Sequence, residues 1–518
     1  MKRLDVSRRG LLMGLGASTL LADRRAIAAT EPADSTYHTA TELLQALATR
    51  QVSARELLNA AIARIEALDT KVNAVVVRDF DRARAAADTA DTALARGEGE
   101  RRPLLGLPMT VKEQFNVAGL PTSWGIPRFR GWRPDEDAVA VRRLKAAGAV
   151  IIGKTNVPQG LADWQSYNSV YGTTNNPWDL GRTPGGSSGG SAAALAAGFV
   201  PLELGSDIGG SLRAPAHYCG VYAHKSSLDL IPQRGGGFPG SPAVPVRGDM
   251  SVAGPMARSA ADLALELDVL AGPDELWDGI GYKLALPPPR HDSVAEFRAL
   301  VVDRHPLCPT AATVSAALDA LSERLAKLGC RVTRTNPEMP NLARTTRAYD
   351  ELLMAFFGAE LPPDERVRLE AAASALAPED ESLAAAELRG FTMSHPAWVR
   401  TSRIRDGLRA RWQALFKEVD VILCPPMPTP AFPHDHSPMA KRQIDIDGKK
   451  GNYDDQIAWC AIATLTGLPA TVAPIGQSED GLPVGVQIIG GYLEDRTTIK
   501  FADLIEHQLG GFRPPPKL

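Results

Sequence analysis

Pro184-Gly185-Gly186-Ser187-Ser188-Gly189-Gly190-Ser191 and, further on, Gly205-Ser206-Asp207-Ile208-Gly209-Gly210-Ser211-Leu212-Arg213 are the two ends of one stretch dominated by glycine, serine and alanine. That composition would suit a flexible linker. The largely apolar run Phe199 to Leu204 lies inside it, however, and reads as a buried strand. Small residues on both sides of a strand allow close backbone approach. Glycine-rich stretches also suggest phosphate binding, but Ser191 is followed by alanines and no G-x-x-x-x-G-K-[ST] pattern is present. A nucleotide site is therefore disfavoured.

Hydrolysis of an amide fits better. It needs a nucleophile, a base, an acid for the leaving amine and donors for the oxyanion. Ser211 follows Ile208-Gly209-Gly210, where backbone without bulky side chains can turn several N–H groups toward one point. Ser187 or Ser188 can pass a proton, because a hydroxyl both donates and accepts. Lys112 ends the short apolar run Gly106 to Val111. A buried lysine without a carboxylate partner can be a neutral base. Taken singly, such residues are common in turns and at strand ends.

Working outward, Ser53-Ala54-Arg55-Glu56 is a capping box, and Leu58, Ile62 and Ile65 follow at helical spacing. Arg82 to Ala95 is also helical in pattern. Ala138 to Ala147 predicts a helix ended by Gly148, with a strand from Ala149 to Gly153. Val314, Leu318, Leu321, Leu325 and Leu328 mark a helix between strands at Leu300 to Val302 and Cys330 to Thr333. Strands Ala470 to Ile475 and Val484 to Ile489 follow near the C-terminus. The alternation predicts one α/β domain over 29–518, with Pro362 to Leu388 a helical insertion or lid.

The 57 basic and 60 acidic side chains among 518 residues give a formal charge of −3, which offers no field for nucleic acid. Five scattered cysteines form no C-x-x-C pair, so neither a disulfide framework nor a zinc site is expected. At the N-terminus, Lys2 and Arg3, the pair Arg8-Arg9, an uncharged run from Gly10 to Ala22 and Ala26-Ile27-Ala28 stand in the order of a twin-arginine signal. Residues 1–28 are thus expected to direct export to the periplasm or medium. No stretch is long and apolar enough for a permanent membrane span.

The stretch Pro184 to Pro215 resembles the signature of the amidase-signature family. Ser187 and Ser211 stand 24 positions apart and Lys112 and Ser187 stand 75 apart, as in members of that family. The likeness continues through Gly106-Leu107-Pro108, Ala118-Gly119-Leu120-Pro121, Thr466-Gly467-Leu468-Pro469-Ala470 and Gly481-Leu482-Pro483-Val484-Gly485. It is weakest from about 275 to 410. The resemblance implies a single amidase-signature α/β domain with a mixed, mostly parallel central sheet covered by helices. It implies that Ser211 is the nucleophile, Ser187 the relay after a cis bond from Gly186, and Lys112 the base. It makes the N–H groups of Ile208, Gly209, Gly210 and Ser211 an oxyanion hole, with Ser188, Asp207 and Arg213 supporting the loop. Neither cofactor nor metal is implied; the partner is a small-molecule amide, and a homodimer is allowed. One departure is His224-Lys225-Ser226-Ser227-Leu228, where many members have Lys-Pro-Thr. His217, Tyr218 and Cys219 read as packing residues.

Other readings compete. Gly186 to Gly190 satisfies G-x-S-x-G, which would make Ser188 the nucleophile with Asp435 and His436. His434-Asp435-His436 could be imagined as metal ligands, without a third partner. Some family members are subunits of a transfer-RNA amidotransferase and pass ammonia onward, a cytosolic role that an export signal opposes. An amide-binding pseudoenzyme is disfavoured by the intact Lys112, Ser187 and Ser211. Substrate choice is expected to lie with the 275–410 region and Gln233 to Gly240. Trp124, Trp164, Tyr167 and Phe238 are candidate pocket aromatics.

Overall fold

The capping box at Ser53 forms as expected. Ser53 and Glu56 cap each other reciprocally and start the helix Ala54–Val72. Its buried Leu58, Ile62 and Ile65 pack on the helix Phe80–Ala95 and the sheet behind it. The computed structural model describes residues 36–245, 248–359, 361–516 and 518, as one compact unit. The expected signal at 1–28 lies outside the described residues.

Fifteen strands occur among the described residues. In chain order they are β1 (Val75–Arg78), β2 (Pro108–Lys112), β3 (Val150–Thr155), β4 (Tyr167–Asn168), β5 (Gly172–Thr173), β6 (Leu202–Asp207), β7 (Tyr222–Lys225) and β8 (Val252–Ala257). They continue as β9 (Arg298–Val301), β10 (Arg331–Thr333), β11 (Val421–Cys424), β12 (Gln443–Ile446), β13 (Lys449–Asn452), β14 (Ala470–Gln477) and β15 (Pro483–Ile489). Eleven build the central sheet, in the order β1-β3-β2-β6-β8-β7-β14-β15-β11-β9-β10. Two parallel runs, β3-β2-β6 and β11-β9-β10, are joined by antiparallel pairings through β8, β7, β14 and β15. The described residues thus form a single α/β domain on a mixed sheet.

The parallel runs come from strand–helix–strand units. The helix Val139–Ala146 leads into β3, and the helix Ala312–Lys327 joins β9 to β10. Their apolar stripes cover the sheet. Two sequence expectations shift. The alanine run after Ser188 is a fully buried helix, Gly189–Ala196, and Gly198 at φ 70° turns the chain out of it. The strand expected from Phe199 therefore begins only at Leu202. The stretch expected to be helical from 362 to 388 is two helices, Pro363–Ser374 and Leu383–Phe391, because Pro378 cannot continue the first.

The consequence for function is placement. β2 and β6 are adjacent and parallel, so their C-terminal ends meet at one edge of the sheet. Lys112 ends β2 and Asp207 ends β6, which leads directly into the Gly209-Gly210-Ser211 turn.

Candidate active site

Ser211 follows that turn just before the helix Arg213–Cys219 and is 7% exposed. The helix Gly189–Ala196 starts beside it, with Ser188 N–H donating to Ser211 O at 3.1 Å. The Gly186–Ser187 peptide is cis. A Cβ on Gly186 would overlap the Asp163 carbonyl, and one on Gly205 would crowd Leu212. Here the glycines are needed for close approach.

Lys112 is fully buried, with Nζ 2.7 Å from Ser187 Oγ and 2.8 Å from Ser206 Oγ. Ser206 Oγ in turn donates to Gln114 Oε1, and Gln114 Nε2 donates to Gly236 O at 2.9 Å. No carboxylate oxygen of the described residues lies within hydrogen-bond or ion-pair reach of Lys112. Burial brings its ammonium down to about 7, against the opposing fields of Asp207 and Glu203. Glu203 is itself pushed up to about 8 by burial, so its opposition is weak near neutrality. Lys112 can therefore lose its proton where an ordinary lysine cannot.

The backbone around Ser211 is pinned one peptide at a time. Each peptide is planar, so a held carbonyl also fixes the following N–H. Tyr349 OH donates to Ile208 O at 2.7 Å, Trp164 Nε1 to Gly209 O at 2.8 Å, and Ala214 N–H to Gly210 O at 2.7 Å. These bonds orient the N–H groups of Gly209, Gly210 and Ser211. Gly210 departs from expectation. Its N–H donates to Asp207 Oδ1 at 2.9 Å, so the carboxylate takes a donor assigned to the oxyanion hole. The N–H groups of Ile208, Gly209 and Ser211 have no acceptor among the described residues. Gly210 also has φ 91°, and a Cβ there would collide with Cys460 Sγ.

Asp207 and Arg213 form a buried bidentate pair, Nε–Oδ2 3.0 Å and Nη2–Oδ1 2.8 Å. Burial alone would raise Asp207, yet Arg213 holds it down to about 2. Arg213 reaches on to Cys460 O, Gln487 Oε1 and Thr464 Oγ1, tying the Ser211 turn to distant chain. Asp207 also accepts from Leu212 N–H at 3.0 Å. The Ser188 hydroxyl donates to Ser206 O at 3.2 Å and accepts from Ser206 N–H.

No histidine contacts Ser188 among the described residues. His436 stacks on Tyr167 at 3.9 Å, and the Asp435 backbone is held by Gln165. A Ser188-His436-Asp435 arrangement is thus not assembled. His217, Tyr218 and Cys219 are buried packing residues. No group of three or more His, Cys, Asp or Glu among the described residues could hold a metal ion.

A cavity of about 350 Å³ opens on Ser211, Ile208 and Gly209. Of the four aromatic residues suggested by sequence, Trp164 alone lines it. Trp124 and Phe238 pack edge to face at 5.5 Å, and Tyr167 is occupied by His436. The helices Leu342–Gly358 and Leu383–Phe391 supply the wall that faces Ser211 with Leu353, Met354, Phe357, Leu383 and Phe391. Tyr349, Ser206 and Gln114 were not legible as site residues, because their roles depend on contacts between distant segments.

The family model described as Amidase matches residues 56–499. A glutamyl-tRNA(Gln) amidotransferase subunit of Anaeromyxobacter sp. (strain K) is 32% identical over 494 residues, covering 91% of this chain and 96% of that protein. Putative amidase AmiB2 of Mycobacterium tuberculosis (strain ATCC 25618 / H37Rv) is 34% identical over 501 residues, covering 92% and 97%. Among solved structures, one of a vestigial protein complex bearing on the origins of an s-triazine catabolic enzyme superposes with a TM-score of 0.76. It is 30% identical, and the match covers 92% of this chain and 99% of that one.

Proposed function

The chain belongs to the amidase-signature family and is an amidase, and we propose that it hydrolyses a small carboxamide through an acyl-enzyme on Ser211. Ser211 Oγ attacks the amide carbon, its proton passing to Ser187 Oγ as the Ser187 proton passes to Lys112 Nζ. The N–H groups of Ile208, Gly209 and Ser211 face the developing oxyanion. The proton on Lys112 then returns through Ser187 to the leaving nitrogen, and ammonia or an amine departs. Water attacks the ester over the same relay, giving the carboxylate and free Ser211.

The observation that carries this reading is the buried Lys112, 2.7 Å from Ser187 and without a carboxylate partner. The test is release of ammonia from simple amides by the purified protein, and its loss in Ser211→Ala. An active Ser211→Ala variant contradicts it.

The likeness to a glutamyl-tRNA(Gln) amidotransferase component favours a second reading, in which the ammonia is used by a partner protein. Steady ammonia release by the isolated chain supports the free-standing enzyme. Activity that appears only with such a partner supports the second reading. Export is proposed on the order Arg8-Arg9, apolar run, Ala26-Ile27-Ala28. N-terminal sequencing of periplasmic protein checks it, and mature protein starting at Met1 in the cytosol contradicts it. No helix of the described residues is long and apolar enough to cross a membrane.

A further inference from the structure

Two helix faces meet across the cavity at Ser211. From Leu342–Gly358 come Asp350, Leu353, Met354 and Phe357, at spacings of three and four that put them on one face. From Leu383–Phe391 come Leu383, Glu387 and Phe391, again one face. Each face is apolar except for a single carboxyl group. Asp454, in the short turn Tyr453–Gln456, adds a third carboxyl to the same wall.

These carboxyls have no internal partner. Asp350 is 4% exposed, and no cation or hydrogen-bond donor among the described residues contacts the side chain of Asp350, Glu387 or Asp454. The nearby Arg442 is committed elsewhere, with Nη1 2.6 Å from Asp163 Oδ2 and Nη2 2.6 Å from Tyr167 OH. An unpaired carboxylate in an apolar wall is costly, and a partner that arrives from solvent removes the cost.

We propose that this cavity selects amides carrying a protonated amine on a short apolar chain. The inference rests on the amidase reading of Ser211 and names the substrate class of that site. The carbonyl lies at Ser211, the methylenes lie along Leu353, Phe357 and Phe391, and the ammonium sits among Asp350, Glu387 and Asp454. A neutral or anionic amide brings no positive charge to pair with these carboxyls. In the free protein burial, then the neighbouring carboxyls, raise Asp350 well above the usual range and Asp454 to about 7. The groups hold protons until a cation replaces them.

The test is calorimetric binding of hexylammonium and of 1-hexanol, which match in size, to the full chain. Hexylammonium is expected to bind at least about tenfold more tightly. That advantage should shrink in both Asp350→Asn and the less buried Glu387→Gln. With substrates, the ratio of kcat/KM for 5-aminopentanamide over hexanamide should exceed one and fall toward one in both variants. Equal affinities for the amine and the alcohol, or an unchanged advantage in both variants, overturns the inference. Failure of the amidase reading looks different: hexylammonium still binds, but Ser211 takes no fluorophosphonate and neither amide is cleaved.

Discussion

Lys112 Nζ lies 2.7 Å from Ser187 Oγ, deep in the domain, with only hydroxyl and carbonyl oxygens around it. A charged ammonium in that position would lack a counter-ion. The protein therefore favours the neutral amine, the form that can accept a proton from Ser187.

The pH dependence follows from that environment. Lys112 is held at about 7 and works as a base only after losing its proton. Activity should thus rise with pH through about 7 and be lost below it. Lys112→Arg keeps a permanent charge and should lose at least about 100-fold in kcat/KM. A pH–rate profile of both proteins checks this; an active arginine variant would contradict it.

Arg213 is the buried partner of Asp207 and also bonds Cys460 O, Gln487 and Thr464. Arg213→Met strands the Asp207 carboxylate. The expected cost is about 3–5 kcal/mol in urea denaturation. A loss below about 1 kcal/mol would show that the pair is dispensable.

Tyr349 donates to Ile208 O and so fixes the peptide that carries the Gly209 N–H. Tyr349→Phe removes one hydrogen bond, about 1 kcal/mol and roughly fivefold in rate. The loss should fall on kcat with KM little changed. A change in KM alone would assign Tyr349 to substrate binding.

How much of this was legible in advance depends on range. The capping box at Ser53 and the apolar stripe from Val314 to Leu325 are local patterns, and both helices formed as the sequence predicts. Lys112, Ser187 and Ser211 were found from spacing and resemblance, and the fold brings Lys112 against Ser187 and sets Ser211 in the cavity floor. Gly210 could not be read correctly, because only the fold shows its N–H turned to Asp207. Nothing in the local sequence marks Asp350 or Glu387 as a cavity residue. Their burial is decided by two helices packing across a cavity, and no local pattern reports that.

Cation binding should release protons. Asp350, Asp454 and Glu387 are raised in the free protein by burial, Asp454 to about 7, and lose protons when an ammonium arrives, so affinity for hexylammonium should rise with pH. Glu351, Asp455 and the Asp163–Arg442 pair are the other charged groups around them. Calorimetry in buffers of different ionisation enthalpy measures the release. Asp350→Asn should reduce it, and an unchanged release would assign the protons to other groups.

The most direct measurement is the site and rate of covalent labelling by a fluorophosphonate, read by peptide mass spectrometry across pH. The account predicts one adduct, on Ser211, forming faster as pH rises through about 7. Ser188→Ala should still be labelled, and Lys112→Ala should be slow at every pH. An adduct on Ser188, or the same pH-dependent rate in Lys112→Ala, would contradict the assignment of Ser211, Ser187 and Lys112.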